Sequence, residues 1–178
     1  SYTIDVYKRK LESTNDFIAF SAFVSFFPQL VAGPIERAKN LLPQFYVKRT
    51  FTYKLFSEGV KLMIVGFFMK LVVADRAAIY VNAVYNNVDN HAGLSFIAAT
   101  VLFAFQIYGD FAGYSLIAIG TARLFGFNLM TNFNRPYFAT SVGDFWKRWH
   151  ISLSTWFRDY LYIPLGGNRV IYPRWLFN

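Results

Sequence analysis

Cysteine is absent from this chain of 178 residues, which excludes a disulfide scaffold, an iron–sulfur site and a cysteine-based zinc site. Charge is scarce as well: 16% of positions are Asp, Glu, Lys or Arg, where soluble domains average about 25%. Acids are the scarcer sign, with 10 Asp+Glu against 18 Lys+Arg and a formal charge of +8. Disorder is excluded, because a disordered chain needs low hydrophobicity and this one is 55% hydrophobic. There is no internal repeat and no low-complexity tract, which argues against a solenoid or a flexible linker. No initiator Met, charged n-region or apolar h-region opens the chain, and its last residues stop in mid-pattern, so it reads as an internal piece of a longer protein. Aromatic rings are what it has in excess. With 21 Phe, 12 Tyr and 4 Trp there are more rings than one core of this size buries, and some are expected to face lipid.

A membrane-spanning helix needs roughly 20 mostly apolar residues. Two uncharged runs are long enough. Residues 17–35, between Asp16 and Glu36, contain Pro28, Gln29, Gly33 and Pro34, which interrupt a helix. Residues 90–109, with GLSFIAATVLFAFQIYG, are a cleaner span, and after Asp110 the apolar FAGYSLIAIGTA continues to Ala122. One long helix and a helix with a broken continuation both fit that pattern. A third candidate, 59–74, carries Lys61 and Lys70 near its ends, where long basic side chains can snorkel toward headgroups.

Lys and Arg concentrate on the cytoplasmic side of short loops. Basic residues crowd 1–16, 36–58 and 123–174, whereas 75–89 holds only Arg76 against two acids. The three basic stretches are therefore expected inside and 75–89 outside. With both flanks inside, 17–35 should enter and return, since broken backbone at membrane depth is tolerated when protein surrounds it. The expected fold is all-α: a polytopic transmembrane helical protein with re-entrant and interfacial amphipathic helices, residues 1–178 forming part of one membrane domain.

The stretch SVGDFWKRWHISLSTWFRDYLYIPLGG, residues 141–167, is the most informative. Ser141 and Asp144 have capping-box spacing, and Pro164, Gly166 and Gly167 mark a stop, bracketing a helix of about five turns. Trp146, Trp149, Leu153, Trp156 and Tyr160 recur at helical spacing opposite Lys147, Arg148, Thr155, Arg158 and Asp159, the pattern of a basic amphipathic helix along a membrane surface. In such a helix His150 falls on the flank of the stripe, beside Trp146 and Phe157 and one turn before Ser154. It is then either a polar residue satisfied by a neighbouring hydroxyl or a proton-handling group of pKa near ~6.5. His91 reads as a solvated loop residue, and two isolated His make a metal site improbable. Asp110 is an ionisable group at membrane depth, a functional candidate by default, or else a group reaching the interface or capping a helix. Asn134 and Arg135, before the break at Pro136, hold either a loop or a ligand.

Four segments carry a resemblance: FPQLVAGPI, IYGDFAGYS, FNRPYF and FWKRWHISLSTWFRDYLYIPLGGNR. In this order they resemble the membrane-bound O-acyltransferase family, closest to its bacterial alginate O-acetyltransferase and teichoic acid D-alanyl transfer branch. Family members are polytopic helical proteins more than twice this length, so the match implies a central portion of one membrane domain. It implies an enzyme moving an acyl group, acetyl being the expected one, from a thioester donor to a hydroxyl of a cell-surface polysaccharide or lipid-linked acceptor. The donor would be acetyl-CoA or an acyl carrier, with no tightly bound cofactor and no metal. The location would be the bacterial cytoplasmic membrane, with the lipid bilayer and an extracytoplasmic acyltransferase as partners. His150 matches the first of two family histidines. The second, held as the catalytic base in a Trp-His-Gly context, would lie beyond Asn178, so the 178 residues alone are expected to be inactive. Asp110, Asn134, Arg135, Trp146 and Ser154 would bind substrate or shape the polar path. Leu116 stands where many relatives carry Asp. The competing reading is a transporter or channel around Asp110. Nucleic-acid binding is disfavoured, because the rings form apolar stripes and are not interleaved with Lys and Arg.

Overall fold

The computed structural model describes residues 1–30 and 33–169, and among these there are helices and turns but no strand. The all-α expectation holds. The chain divides into two compact units, one built from 1–29, 34–48 and the stretch from 129 onward, the other from 30–33 and 49–128.

The second unit is a helical hairpin. Helix α5 (Tyr53–Phe67) runs without interruption into a π-helical segment, Phe68–Ala74, and then into α6 (Asp75–Tyr85). A short connection holding the 3-10 turn Val88–Asn90 leads into α7 (Gly93–Leu124). The apolar run and its continuation past Asp110 are thus one helix of 32 residues. It is the one described helix that is long and apolar enough to cross a membrane by length and composition. Helix α7 stops at a Schellman turn. Gly126, at φ 74°, donates its N–H to Arg123 O at 2.9 Å, and Phe127 donates to Ala122 O at 2.8 Å.

Glycine sets how closely the two rods approach. A Cβ on Gly59 would lie 2.7 Å from Gly120 O, and one on Gly120 would lie 2.6 Å from Gly59 O. Seven residues along, Gly66 and Gly113 repeat the pairing at 2.7 and 2.8 Å. Two helices that share no aqueous hydrophobic driving force associate through such small-residue contacts. The outward faces bear large apolar side chains, among them Ile64, Phe67, Phe68 and Leu71 on one rod and Leu94, Ile97, Val101 and Phe105 on the other.

Two expectations are corrected here. Residues 75–89 are not an outer loop: Asp75–Tyr85 is helix, and the connection narrows to 86–92, with His91 half-buried at its end. Lys70 does not snorkel, because its ammonium contacts Asp75 at 2.7 Å and Asp110 at 2.6 Å. At the other end of the hairpin Arg123 pairs with Glu58 at 2.6 Å.

In the first unit, α1 (Tyr2–Tyr7) packs Tyr2 against Phe20 and Phe23 of α2 (Phe17–Val24), at centroid distances of 4.9 and 6.5 Å. Asp16 caps α2 by accepting from Ala19 N at 2.9 Å. After a bend comes α3 (Phe27–Leu30), with Pro28 in its first turn, where its missing N–H costs nothing. At 8 residues, α2 spans about 12 Å, far short of a hydrocarbon core of about 30 Å. Phe26 meets Phe45 edge-on at 5.6 Å, so the chain returns on itself through α4 (Ala38–Leu41) and the 3-10 turn Leu42–Phe45. The expected interruption of 17–35 is present, as α2 and α3 are separate short helices; residues 31–32 lie outside the described residues. The remaining elements are the 3-10 turn Pro136–Phe138, α8 (Val142–Arg148), α9 (Ile151–Phe157) and a π-helical turn, Arg158–Tyr162.

Candidate active site

Residues 141–167 do not form one helix. Ser141 caps α8 as expected, its Oγ accepting from Asp144 N at 3.1 Å, while Asp144 Oδ2 accepts from Thr140 N at 3.3 Å and from Arg148 Nε at 2.9 Å. The helix then ends. Trp149 is extended, and His150 sits in the left-handed region at φ 45°, ψ 53° before α9 begins. No Gly or Pro marks this break. It is made by a partner strand of loop: Asn134 N donates to Arg148 O and Ile151 N donates to Asn132 O, each at 2.9 Å. Asn132 is 1% exposed, and its Oδ1 accepts from Ser152 Oγ at 2.9 Å and from Ser152 N at 3.4 Å. The loop thus supplies the hydrogen bonds the helix gives up. A non-glycine residue in this conformation costs about 1–3 kcal/mol and persists only where its surroundings over-determine it, as at sites of function.

His150 therefore occupies a corner, not the flank of a continuous stripe, and the expected aromatic stripe divides in two. Trp149 joins Phe145, Phe133 and Tyr137, with Phe145 stacked on Trp149 at 5.5 Å and Phe133 edge-on to it at 5.1 Å. Trp156 stacks on Tyr160 at 5.3 Å. The imidazole lies parallel to the Phe133 ring, with centroids 6.4 Å apart and planes at 19°. Burial holds its pKa below 6.5, so at neutral pH it is an uncharged imidazole with a nitrogen able to accept a proton.

The other expected residues are placed unevenly. Ser154 N donates to His150 O at 3.0 Å, and Ser154 shares an open cleft with Trp146, Lys147, Ile151, Thr155 and Arg158. Trp146 is exposed. Asn134 holds the loop through its backbone N–H, while Arg135 is left-handed at φ 46° and caps the turn at Pro136; both side chains are exposed. Asp110 belongs to the other unit, where it lies within α7 and pairs with Lys70, so it neither caps a helix nor ends one. Gly166 and Gly167 have positive φ and close the π-turn by donating to Ile163 O and Tyr162 O, a stop and not a phosphate loop. Among the described residues no group of His, Asp and Glu could hold a metal. Sequence reasoning missed Asn132 and Ser152, which build the corner. The signal was partial: Asn132 lies in the same polar segment as Asn134 and Arg135, but its partner is 20 residues away.

Residues 6–175 match the family model of membrane-bound O-acyltransferases. The chain is 48% identical over 172 residues to a probable alginate O-acetylase of Pseudomonas putida, covering 95% of this chain and 34% of that protein. A peptidoglycan O-acetyltransferase of Helicobacter pylori is 44% identical over 163 residues, 89% of this chain and 30% of the relative. A teichoic acid D-alanyltransferase of Bacillus subtilis is 29% identical over 144 residues, 79% and 36% of the two chains. The chain thus spans about a third of the length of these curated relatives. With the family pattern matched across nearly its whole length, the chain belongs to the membrane-bound O-acyltransferase family.

Proposed function

We propose that this chain is the part of a multi-pass cytoplasmic-membrane O-acyltransferase that presents His150 to the reacting groups. The observation that carries the reading is the over-determined corner at His150, where a strained, uncharged imidazole is held between two short helices in a chain of this family. The transferred group is acetyl, as the names of the more similar relatives suggest, and the acceptor is a hydroxyl of a cell-surface polysaccharide or a lipid-linked precursor. The donor is a thioester, acetyl-CoA or an acyl carrier. A thioester is already activated, so a neutral imidazole suffices as base when the hydroxyl attacks its carbonyl. In this scheme a second histidine beyond residue 178 takes the hydroxyl proton as the C–O bond forms, the C–S bond of the thioester breaks and that proton passes to the departing thiolate. His150 orients donor or acceptor, and the 178 residues alone do not turn over. Trp146, Ser154, Asn134, Arg135 and Asp110 shape the polar path. An extracytoplasmic acyltransferase is a further partner, and the segment 17–35 is re-entrant from the cytoplasmic side.

The test uses the full-length protein in membranes, with labelled acetyl thioester and its polysaccharide acceptor. His150→Ala should lower transfer by at least about 100-fold while leaving the protein inserted and at normal abundance. Normal transfer by that variant would remove His150 from the chemistry.

A further inference from the structure

Arg37 is a buried guanidinium that is only partly used. It lies in the first unit and is 6% exposed. Its Nη2 donates to Asp159 Oδ2 at 3.3 Å, and its plane sits 4.5 Å from the centre of the Tyr160 ring. Its Nη1 is buried without a hydrogen-bond partner among the described residues. A buried charged donor left unsatisfied is costly, and a native structure keeps one for a reason. The side chain lines a cleft with Asp5, Lys10, Lys39, Asp159, Tyr160 and Ile163.

The two carboxylates of that cleft are already committed. Asp159 accepts from Arg158 Nε on Oδ1 at 2.9 Å as well as from Arg37 on Oδ2, which holds its carboxyl below the usual range. Asp5 Oδ2 accepts a hydrogen bond from the Tyr160 hydroxyl. Lys10 and Lys39 make no ion pair among the described residues. The cleft is thus lined by three cations, Arg37, Lys10 and Lys39, against two carboxylates, of which Asp159 is already held by Arg37 and Arg158, while Asp5 is hydrogen-bonded to a neutral hydroxyl. A carboxylate ligand, with one charge, would answer one of these cations. A phosphate, carrying about 1.5 to 2 negative charges and three acceptor oxygens, answers all three.

We propose that this cleft binds a phosphate group, with Arg37 as its buried fork and Lys10 and Lys39 as mobile charges at its rim. The residues come from 1–16, 36–58 and 123–174, the three basic stretches expected on the cytoplasmic side, where phosphate is offered both by lipid headgroups and by soluble compounds. The site is separate from the His150 corner and does not rest on acyl transfer.

The experiment is thermal unfolding of the full-length protein in neutral detergent. The probes are inorganic phosphate and short-chain phosphatidic acid, with chloride at equal ionic strength and a phosphate-free diacylglycerol as controls. Phosphate at about 10 mM should raise the midpoint by about 2 °C or more over chloride. Arg37→Gln should abolish the shift, and Lys10→Gln with Lys39→Gln, both exposed positions, should at least halve it. A larger shift with phosphatidic acid than with phosphate assigns the group to a lipid headgroup; equal shifts assign it to a soluble phosphate. If Arg37→Gln does not fold, the double lysine variant decides. No shift with either probe, or an unchanged shift in the variants, overturns the proposal, and neither result touches the acyl-transfer reading.

Discussion

Asn132 fixes the backbone around His150 by giving one carbonyl oxygen of its side chain to both the hydroxyl and the amide of Ser152. Replacing it with Ala leaves two buried donors unsatisfied, at a cost of about 1–3 kcal/mol. Asn132→Ala should lower the thermal midpoint of the full-length protein and, by freeing the corner, reduce transfer at least tenfold; a stable and fully active variant would separate the corner from function. His150 itself offers a sharper test. His150→Ala and His150→Gly both delete the imidazole, but glycine adopts φ 45° without the clash that Ala suffers, so the Gly variant should be the more stable by about 1 kcal/mol. Equal stabilities would mean the left-handed conformation is not enforced. The pH dependence has a defined sign. Burial depresses the folded pKa of His150 below 6.5, so between that value and 6.5 the unfolded chain binds more protons. Its contribution is complete above pH ~6.5 and is lost as pH falls through the folded pKa. His150→Gln should flatten that part of the stability profile, while Glu36, whose carboxyl burial pushes up, acts in the opposite direction. At this scale the sequence singled out His150 by chemistry alone. Its strain was invisible there, because it comes from hydrogen bonds to residues far away in the chain.

The hairpin shows what elements owe to their neighbours. The two glycines of α5 and the three interior glycines of α7, Gly109, Gly113 and Gly120, are poor helix formers, each costing about 1 kcal/mol relative to Ala in isolation. They are tolerated where backbone meets backbone. Gly66→Ala would put a methyl group 2.7 Å from Gly113 O, with Ile117 at 2.8 Å, so the rods must separate. Loss of about 1–3 kcal/mol is expected for Gly66→Ala or Gly113→Ala, read as a lower unfolding midpoint in detergent. The control is Gly93, at the start of α7 with nothing within 4 Å of an added Cβ, where Ala should be neutral or stabilising. Similar losses at Gly66 and Gly93 would mean that helix propensity, not close approach, sets the effect. Elements with local signals were legible: the apolar run of α7, the Ser141 cap and the interruption near Pro28. The π-helical segments and the break at His150 were not, since the first is paired with Gly109 across the hairpin, with Met69 O 3.1 Å from its Cβ position, and the second is built by the loop at Asn132. Periodicity reads one face of one helix, and both features are decided by contacts with another element.

For the molecule as a whole, the distribution of basic residues predicts which ends of the apolar segments stay inside. They flank 17–35 on both sides, and that segment breaks into α2 and α3, with Phe26 returning to Phe45. On the proposed topology the hairpin would cross outward along Tyr53–Tyr85 and back along α7, and Arg123 does lie at the same end of it as Glu58. Its connecting residues, 86–92, hold one acid and no Lys or Arg, the composition that the proposed topology requires of an external turn. With no native Cys, single cysteines at Ser13, Asn40, Asn86 and Ser141, all exposed, can be introduced into the full-length protein. In intact cells an impermeant thiol reagent should label position 86 alone, and permeabilised cells should label all four. Labelling at 40 but not 13, or the reverse, would mean that 17–35 crosses the bilayer and that its prolines kink a span instead of ending it. Labelling at 141 would place α8 and α9 outside and overturn the expectation that the basic stretch 123–174 lies on the cytoplasmic side.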